Sequence, residues 1–368
     1  MIGRIKALIL KEFLAIFLDK ASRMAIIVPP IIQLFVFGYA ATFDLNRVRL
    51  AIFNEDSGAL SRELIGRFQG NPTFELVDFL HSEKEINTLI DTQKTLMVLR
   101  ISSDCSRQAA RGESCPVQVL IDGRNSNTAM LALNYVRAIV TDFNQDLMHQ
   151  QGQSMPARLA VRAWFNPNLE SRWFIVPGII ALLGMIVTLV VTALSVARER
   201  EDGTFDQLLV TPLPPWEIMV GKSVPGLLVG LVEVSIIIAL TMVWFKIPLQ
   251  GSLLTLYPAL VVYLLSVIGV GLMISSFSTT LQQALLGSIL FIVPAVTLSG
   301  FTTPIANMPQ WMQHLTVINP MRYFLIVVRR VFLEGTEIRF LVNEIWPMAI
   351  IAICTLSLAT WLFRHRLH

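Results

Sequence analysis

Ile247–Met321 reads IPLQGSLLTLYPALVVYLLSVIGVGLMISSFSTTLQQALLGSILFIVPAVTLSGFTTPIANMPQWMQHLTVINPM, 75 residues without one Asp, Glu, Lys or Arg. A helix needs roughly 20 apolar residues to cross about 30 Å of hydrocarbon. The run therefore holds two spans and a further apolar segment, divided near Ser275–Gln283, where the polar residues supply a turn. Four other gaps in the charge distribution fit one helix each: 20 residues between Arg23 and Asp44, 25 between Arg172 and Arg198, 23 between Lys222 and Lys246 broken only by Glu233, and 19 between Glu344 and Arg364. The fold read from this is an α-helical membrane protein with six transmembrane helices, at residues 24–43, 173–197, 223–245, 253–275, 282–301 and 345–363. Composition agrees, with 54% hydrophobic against 15% charged residues in 368 and a mean hydropathy of +0.61. These figures exclude a soluble, disordered or disulfide-scaffold chain, and a net charge of +3 is too small to suggest nucleic acid as a partner.

Within the first span Gly38-Tyr39-Ala40 is a small-x-small pattern of the kind that signal peptides carry. Its apolar run is longer than a signal's and follows 23 residues of patterned helix, so it reads as a retained span, kinked by Pro29-Pro30. Lys and Arg in short loops set the orientation. With the N-terminus inside, the cytoplasmic side carries Arg4, Lys6, Lys11, Lys20, Arg23, Arg198, Arg200, Lys222, Arg364 and Arg366. Lys246, Arg322, Arg329, Arg330 and Arg339 then fall outside, so ten against five favours both termini, including the tail 364–368, in the cytoplasm.

Residues 44–172 are a different material, with 14 Lys/Arg and 15 Asp/Glu. Strand-like Val48–Phe53, Phe74–Leu80, Thr95–Ile101 and Val117–Ile121 alternate with helix-like Ser57–Gln69, Ser82–Asp91 and Thr128–His149, which predicts an α/β domain inserted after the first helix, on the periplasmic side. Cys105 and Cys115 fall here, either as a disulfide in an oxidising compartment or as two free thiols. Asp122–Asn127 reads as a polar turn, with Asn127 as the N-cap of the helix that follows. Residues 1–23 place Ile5, Leu8, Ile9, Phe13, Ile16 and Phe17 at helical spacing, an interfacial helix on the cytoplasmic face. Residues 302–343 carry Pro304, Pro309 and Pro320 and suit a re-entrant or interfacial element at the outer leaflet, packed on other helices.

Gly221-Lys222-Ser223 imitates the end of a phosphate-binding loop, but Trp216 stands where the first glycine is needed and no strand precedes it. The chain is therefore not expected to hydrolyse ATP itself. His81, His149, His314, His365 and His368 show no metal-ligand spacing, and no catalytic serine motif occurs, so no catalytic or metal residue is assigned. Glu233 is the one acid inside a span, and it has two readings: a residue of the transport path or its gating, or an interhelical contact. Gly226 and Gly230 on the same helix read as a close-packing motif.

The segment 198–222 is a charged helix end, a Gly-Thr break, and a short helix bearing Phe205, Leu208 and Leu209 that stops at Pro212, Pro214 and Pro215. A short amphipathic helix between rigid breaks suits docking into a soluble partner's groove. Its residues Arg198, Glu199, Arg200, Glu201, Gly203, Thr204, Asp206, Gln207, Leu208, Leu209, Thr211 and Pro212, followed by Gly221-Lys222, resemble the signature of ABC-2 type transporter permeases. Lys11-Glu12-Phe13 in the N-terminal helix and Asn319-Pro320-Met321-Arg322-Tyr323 before the last span extend the likeness over essentially the whole chain. It resembles in particular the YbhR/YhhJ-like inner-membrane permeases associated with multidrug-type export.

That resemblance implies a permease subunit of an ATP-binding cassette exporter. The chain would pair with a second permease, as a homodimer or heterodimer. Its 198–222 loop would couple to cytosolic ATPase subunits that hold the ATP and Mg²⁺, with no cofactor in this chain. It also implies membrane lipids around the spans and a periplasmic adaptor protein near the inserted domain. A secondary transporter and a membrane-anchored periplasmic sensor are the alternatives from other classes. The substrate stays open among drugs, lipids and cations.

Overall fold

A computed structural model describes residues 2–18, 20–40, 47–150, 164–166, 170–204 and 214–365. The chain divides into two compact units, Thr42–Arg162 and the remainder, Met1–Ala41 with Ala163–His368.

In the inserted unit, β1 (Val48–Asn54) pairs in parallel with β2 (Phe74–Leu80) and with β3 (Met97–Ile101), and β4 (Val117–Ile121) runs antiparallel to β3. The order is β2-β1-β3-β4. Parallel strands need cover on both faces, and the chain supplies it. Leu50, Ile52, Met97, Leu99 and Ile101 pack with Leu64 and Phe68 of α3 (Ala59–Gln69) and with Val136, Ile139 and Phe143 of α6 (Ser126–Gln150). Ala51, Phe53 and Val98 pack with Ile86 of α4 (Glu83–Asp91). Asn125, rather than Asn127, caps α6: the helix begins at Ser126, and the Asn125 side chain accepts from the Thr128 amide. A six-residue helix, α5 (Cys105–Ala110), has no counterpart in the strand and helix pattern, and a Cys105–Cys115 disulfide joins its start to the approach to β4.

The other unit is helical. An amphipathic α1 (Ile2–Leu18) precedes α2 (Lys20–Ala40), which stays helical through Pro29 and Pro30. Among the described residues four helices are long and apolar enough to cross a membrane: α7 (Ser171–Glu201), α8 (Pro215–Val243), α9 (Leu253–Phe277) and α13 (Ile338–His365). Two shorter apolar helices accompany them, Ile27–Tyr39 within α2 and α10 (Leu281–Thr297). The apolar character of α7 runs all round it, as a helix at the centre of a bundle requires.

Small residues let α8 approach α7. A Cβ on Gly226 would meet Thr192, one on Gly230 would meet Thr188, and one on Gly184 would meet Val234. Tyr263 of α9 donates to the Ala181 carbonyl at 2.8 Å and stacks on Phe324 with ring centres 4.3 Å apart.

Between α10 and α13 lie α11 (Gln310–Leu315), with Trp311 exposed, and α12 (Pro320–Arg329), whose Met321, Phe324, Leu325, Val327 and Val328 belong to the core. Pro320 starts α12 rather than breaking it, because a first-turn proline lacks only an N–H that has no helical partner. Asn319 caps this turn and donates its amide to the Ala295 carbonyl, tying α12 to α10. A π-helical turn, Arg330–Glu334, closes the segment, and Gly335 ends it at φ 70°.

Candidate functional site

Three helix ends meet around a buried group of charges. On α1 the residues Ile5, Leu8, Ile9 and Phe13 fall on the less exposed face, and Glu12 falls on that same stripe, 8% exposed. Gly221, near the start of α8, lets α1 lie close: a Cβ there would come within 2.9 Å of the Leu8 Cβ. The next residue, Lys222, then reaches Glu12 Oε1 at 2.9 Å and Glu199 Oε2, at the end of α7, at 2.6 Å. Lys222 also donates to Ser195 Oγ at 3.2 Å, and Ser195 in turn donates to Glu12 Oε2 at 3.0 Å. Lys11 binds the other Glu199 oxygen at 2.6 Å. The cluster therefore sets two carboxylates against two ammonium groups, and the buried charges compensate each other. Burial alone would raise the Glu12 carboxyl, but Lys222, Ser195 and Lys11 outweigh it and hold the group below its ordinary value of 4.5.

The residues singled out for coupling occupy the base of the 198–222 loop. Glu199 is turned inward to the cluster. Arg200 donates to the carbonyls of Ser276 and Ser278, both at 3.0 Å. Glu201 accepts from the Leu281 amide at 2.7 Å, at the first turn of α10. Thr204 closes back on the Glu199 carbonyl through its amide, and Gly203 takes the left-handed conformation (φ 70°) that such a helix end uses. Arg198 lines a cavity beside the cluster. Asp206, Gln207, Leu208, Leu209 and Pro212 lie outside the described residues.

Glu233 stands apart from the cluster, 11 residues beyond Lys222 on α8, or about 16 Å of helix rise. It is 7% exposed, and neither carboxylate oxygen has a hydrogen-bond partner among the described residues.

Lys11, Glu12, Ser195 and Lys222 enter the sequence reading as topology counts, family marks or a false phosphate-loop ending, and not as a site. One local signal was available: Glu12 interrupts the apolar stripe of α1, where a charge implies a buried partner. The cavity beside the cluster has a volume of about 380 Å³ and is walled by α1, α2, α7 and α8. Among the described residues no group of three His, Cys, Asp or Glu is placed to hold a metal ion.

Residues 20–361 match the family of ABC-2 family transporter proteins. The chain is 41% identical over 366 residues to the probable multidrug ABC transporter permease YbhR of Escherichia coli strain K12, covering 100% of both chains. It is 30% identical to the probable multidrug ABC transporter permease YbhS of the same organism, covering 98% of this chain and 96% of that one. With the inner membrane transport permease YhhJ, also of Escherichia coli strain K12, it shares 26% identity over 92% of this chain and 90% of the relative. The match of the whole chain and its apolar helices make this a multi-pass inner-membrane transport subunit. The chain belongs to the ABC-2 transporter family, as a permease subunit of an ABC exporter.

Proposed function

We propose that this chain pairs with a second permease, identical or related, and that cytosolic ATPase subunits carrying ATP and Mg²⁺ dock on its 198–222 loop and drive export. Six crossings accommodate the four long helices and the two shorter apolar ones, Ile27–Tyr39 and α10. Both termini then lie in the cytoplasm and residues 44–172 in the periplasm, the compartment in which the Cys105–Cys115 disulfide persists. There the inserted domain meets an adaptor protein. The chain itself contributes no ATPase chemistry. Its substrates are of the apolar or amphiphilic kind implied by the multidrug naming of its relatives.

The observation that carries this reading is the Lys222–Glu199 ion pair at 2.6 Å. It closes the base of the loop, so a displacement of the loop is delivered to α7 and α8 together, and to α1 through Glu12. In this assignment Arg198, Glu199, Arg200, Glu201, Gly203 and Thr204 form the rigid base. Asp206, Gln207, Leu208, Leu209 and Pro212 form the face that meets the ATPase.

The double substitution Leu208→Glu with Leu209→Glu, at the two leucines of the loop's amphipathic sequence, is expected to lower co-purification of the ATPase at least about tenfold while the permease still inserts in the membrane. Undiminished co-purification with correct insertion overturns the docking assignment.

A further inference from the structure

The cavity beside the charge cluster is lined by two lysines that are held to different degrees. Its volume of about 380 Å³ lies in the range of about 300–1,000 Å³ common to small-molecule sites. Pro29, Pro30, Val187, Val190 and Val191 give it an apolar wall, and the Gln33 amide lines it without a hydrogen-bond partner among the described residues. At its polar end the two lysines differ. The Lys222 side chain is 2% exposed and is held by three groups at once. The Lys11 side chain is 48% exposed and pairs with Glu199 Oε1, whose own side chain is 8% exposed.

We propose that this cavity binds an amphiphile bearing a primary ammonium group, which displaces the Lys11 ammonium from Glu199 and lays its apolar body against the valine and proline wall. The exchange replaces one cation by another, so Glu199, which also keeps Lys222, retains a cation at each oxygen. A neutral or anionic amphiphile brings no cation to take the place of Lys11, which is how the site selects. Lys11 is the lysine that can leave, because its side chain is 48% exposed against 2% for Lys222. As a substrate class this assignment rests on the exporter reading. As a binding site it stands without it, and its test uses the permease alone, with neither ATPase nor nucleotide.

The experiment measures [¹⁴C]dodecylamine binding by scintillation proximity to the full-length permease in phosphatidylcholine nanodiscs at neutral pH, where the amine is charged. Lys11→Gln removes the competing cation and is expected to tighten binding about tenfold, and Glu199→Gln to weaken it by at least as much. Val190→Trp, which fills the cavity without touching a charge, is expected to abolish binding while thermal unfolding stays unchanged. Unlabelled dodecanol should not compete.

Competition by dodecanol equal to that of dodecylamine overturns the proposal. So does full binding by folded Val190→Trp, or an unchanged affinity in Lys11→Gln. These arms decide the matter even where Glu199→Gln fails to fold. Nanodiscs containing phosphatidylethanolamine separate two sources of the same chemistry: displacement of dodecylamine by that lipid assigns the site to a lipid ammonium headgroup, and its retention assigns it to a free amphiphilic amine.

Discussion

Lys222 and Glu233 lie on one helix, 11 residues apart, and are buried to nearly the same degree, 3% and 7% exposed. The first is met by Glu12, Glu199 and Ser195, while the second has no hydrogen-bond partner among the described residues. The difference shows that burial does not by itself give a charge its role. Where three helix ends converge, opposite charges fasten them. Deeper along α8 a polar group without a partner does not stabilise the arrangement in which it sits, since an unpartnered carboxylate is costly in its ionised form. On the proposed function, Glu233 belongs to another arrangement of the helices, such as gating, and the cluster fastens this one.

Removing Lys222 is the harshest way to break the contrast. Lys222→Met takes the shared cation from two buried carboxylates, and breaking a buried pair in this way costs about 3–5 kcal/mol. Reversible unfolding of the reconstituted chain in mixed detergent micelles measures it, and a loss below about 1 kcal/mol would mean that the cluster fastens nothing. Adding Glu12→Gln to Lys222→Met should recover part of the loss, because one of the stranded charges goes with it. Glu233 should behave oppositely. With no hydrogen-bond partner to lose among the described residues, Glu233→Gln is expected to change stability by less than about 1 kcal/mol and, in the gating role, to lower ATP-driven export. Export untouched by Gln, with Glu233→Leu lowering stability alone, would remove Glu233 from the transport cycle.

The inserted domain was the more legible part of this chain, and the reason is local. The apolar runs at residues 48–53, 74–80 and 117–121 coincide with β1, β2 and β4 to within a residue, because a strand's burial is written in its own sequence. Thr95 looked like strand but belongs to the turn before β3, where its hydroxyl serves the Arg49 and Met97 carbonyls. The helix α5 has no mark in the sequence because six residues of Cys, Ser, Arg, Gln and Ala carry too little apolar periodicity. In the membrane unit, charge-free length marks an apolar helix but says little about its neighbours. The stretch containing α12 read as broken because prolines flank it, although Pro320 in fact opens the helix and Phe324 is fully buried. The cluster was hidden for a stronger reason. It joins residues 12, 195, 199 and 222, and no local pattern encodes a meeting of three helix ends. Only Glu12, a charge on an apolar stripe, hinted that something had to meet it.

The mildest test of the same contrast is acid. Folding holds the Glu12 carboxyl below its ordinary 4.5, with the pull of Lys222, Ser195 and Lys11 overcoming the opposing effect of burial. A carboxyl lowered in this way adds stability that is fully present above its unfolded pKa and is lost as pH falls through the lower, folded one. The attachment of α1 to α7 and α8 should therefore be insensitive to pH above about 4.5 and weaken progressively below it. The effect is smaller than that of Lys222→Met, because Lys222 keeps Glu199 when Glu12 is neutralised. Other carboxylates also titrate in acid, so the measurement is differential: protease accessibility of α1 against pH in the native chain and in Glu12→Gln. The native chain should lose protection over this window, and Glu12→Gln should be less protected throughout and flatter across it. Parallel curves would show that Glu12 does not report on the cluster, leaving Lys222 to hold α7 and α8 without α1.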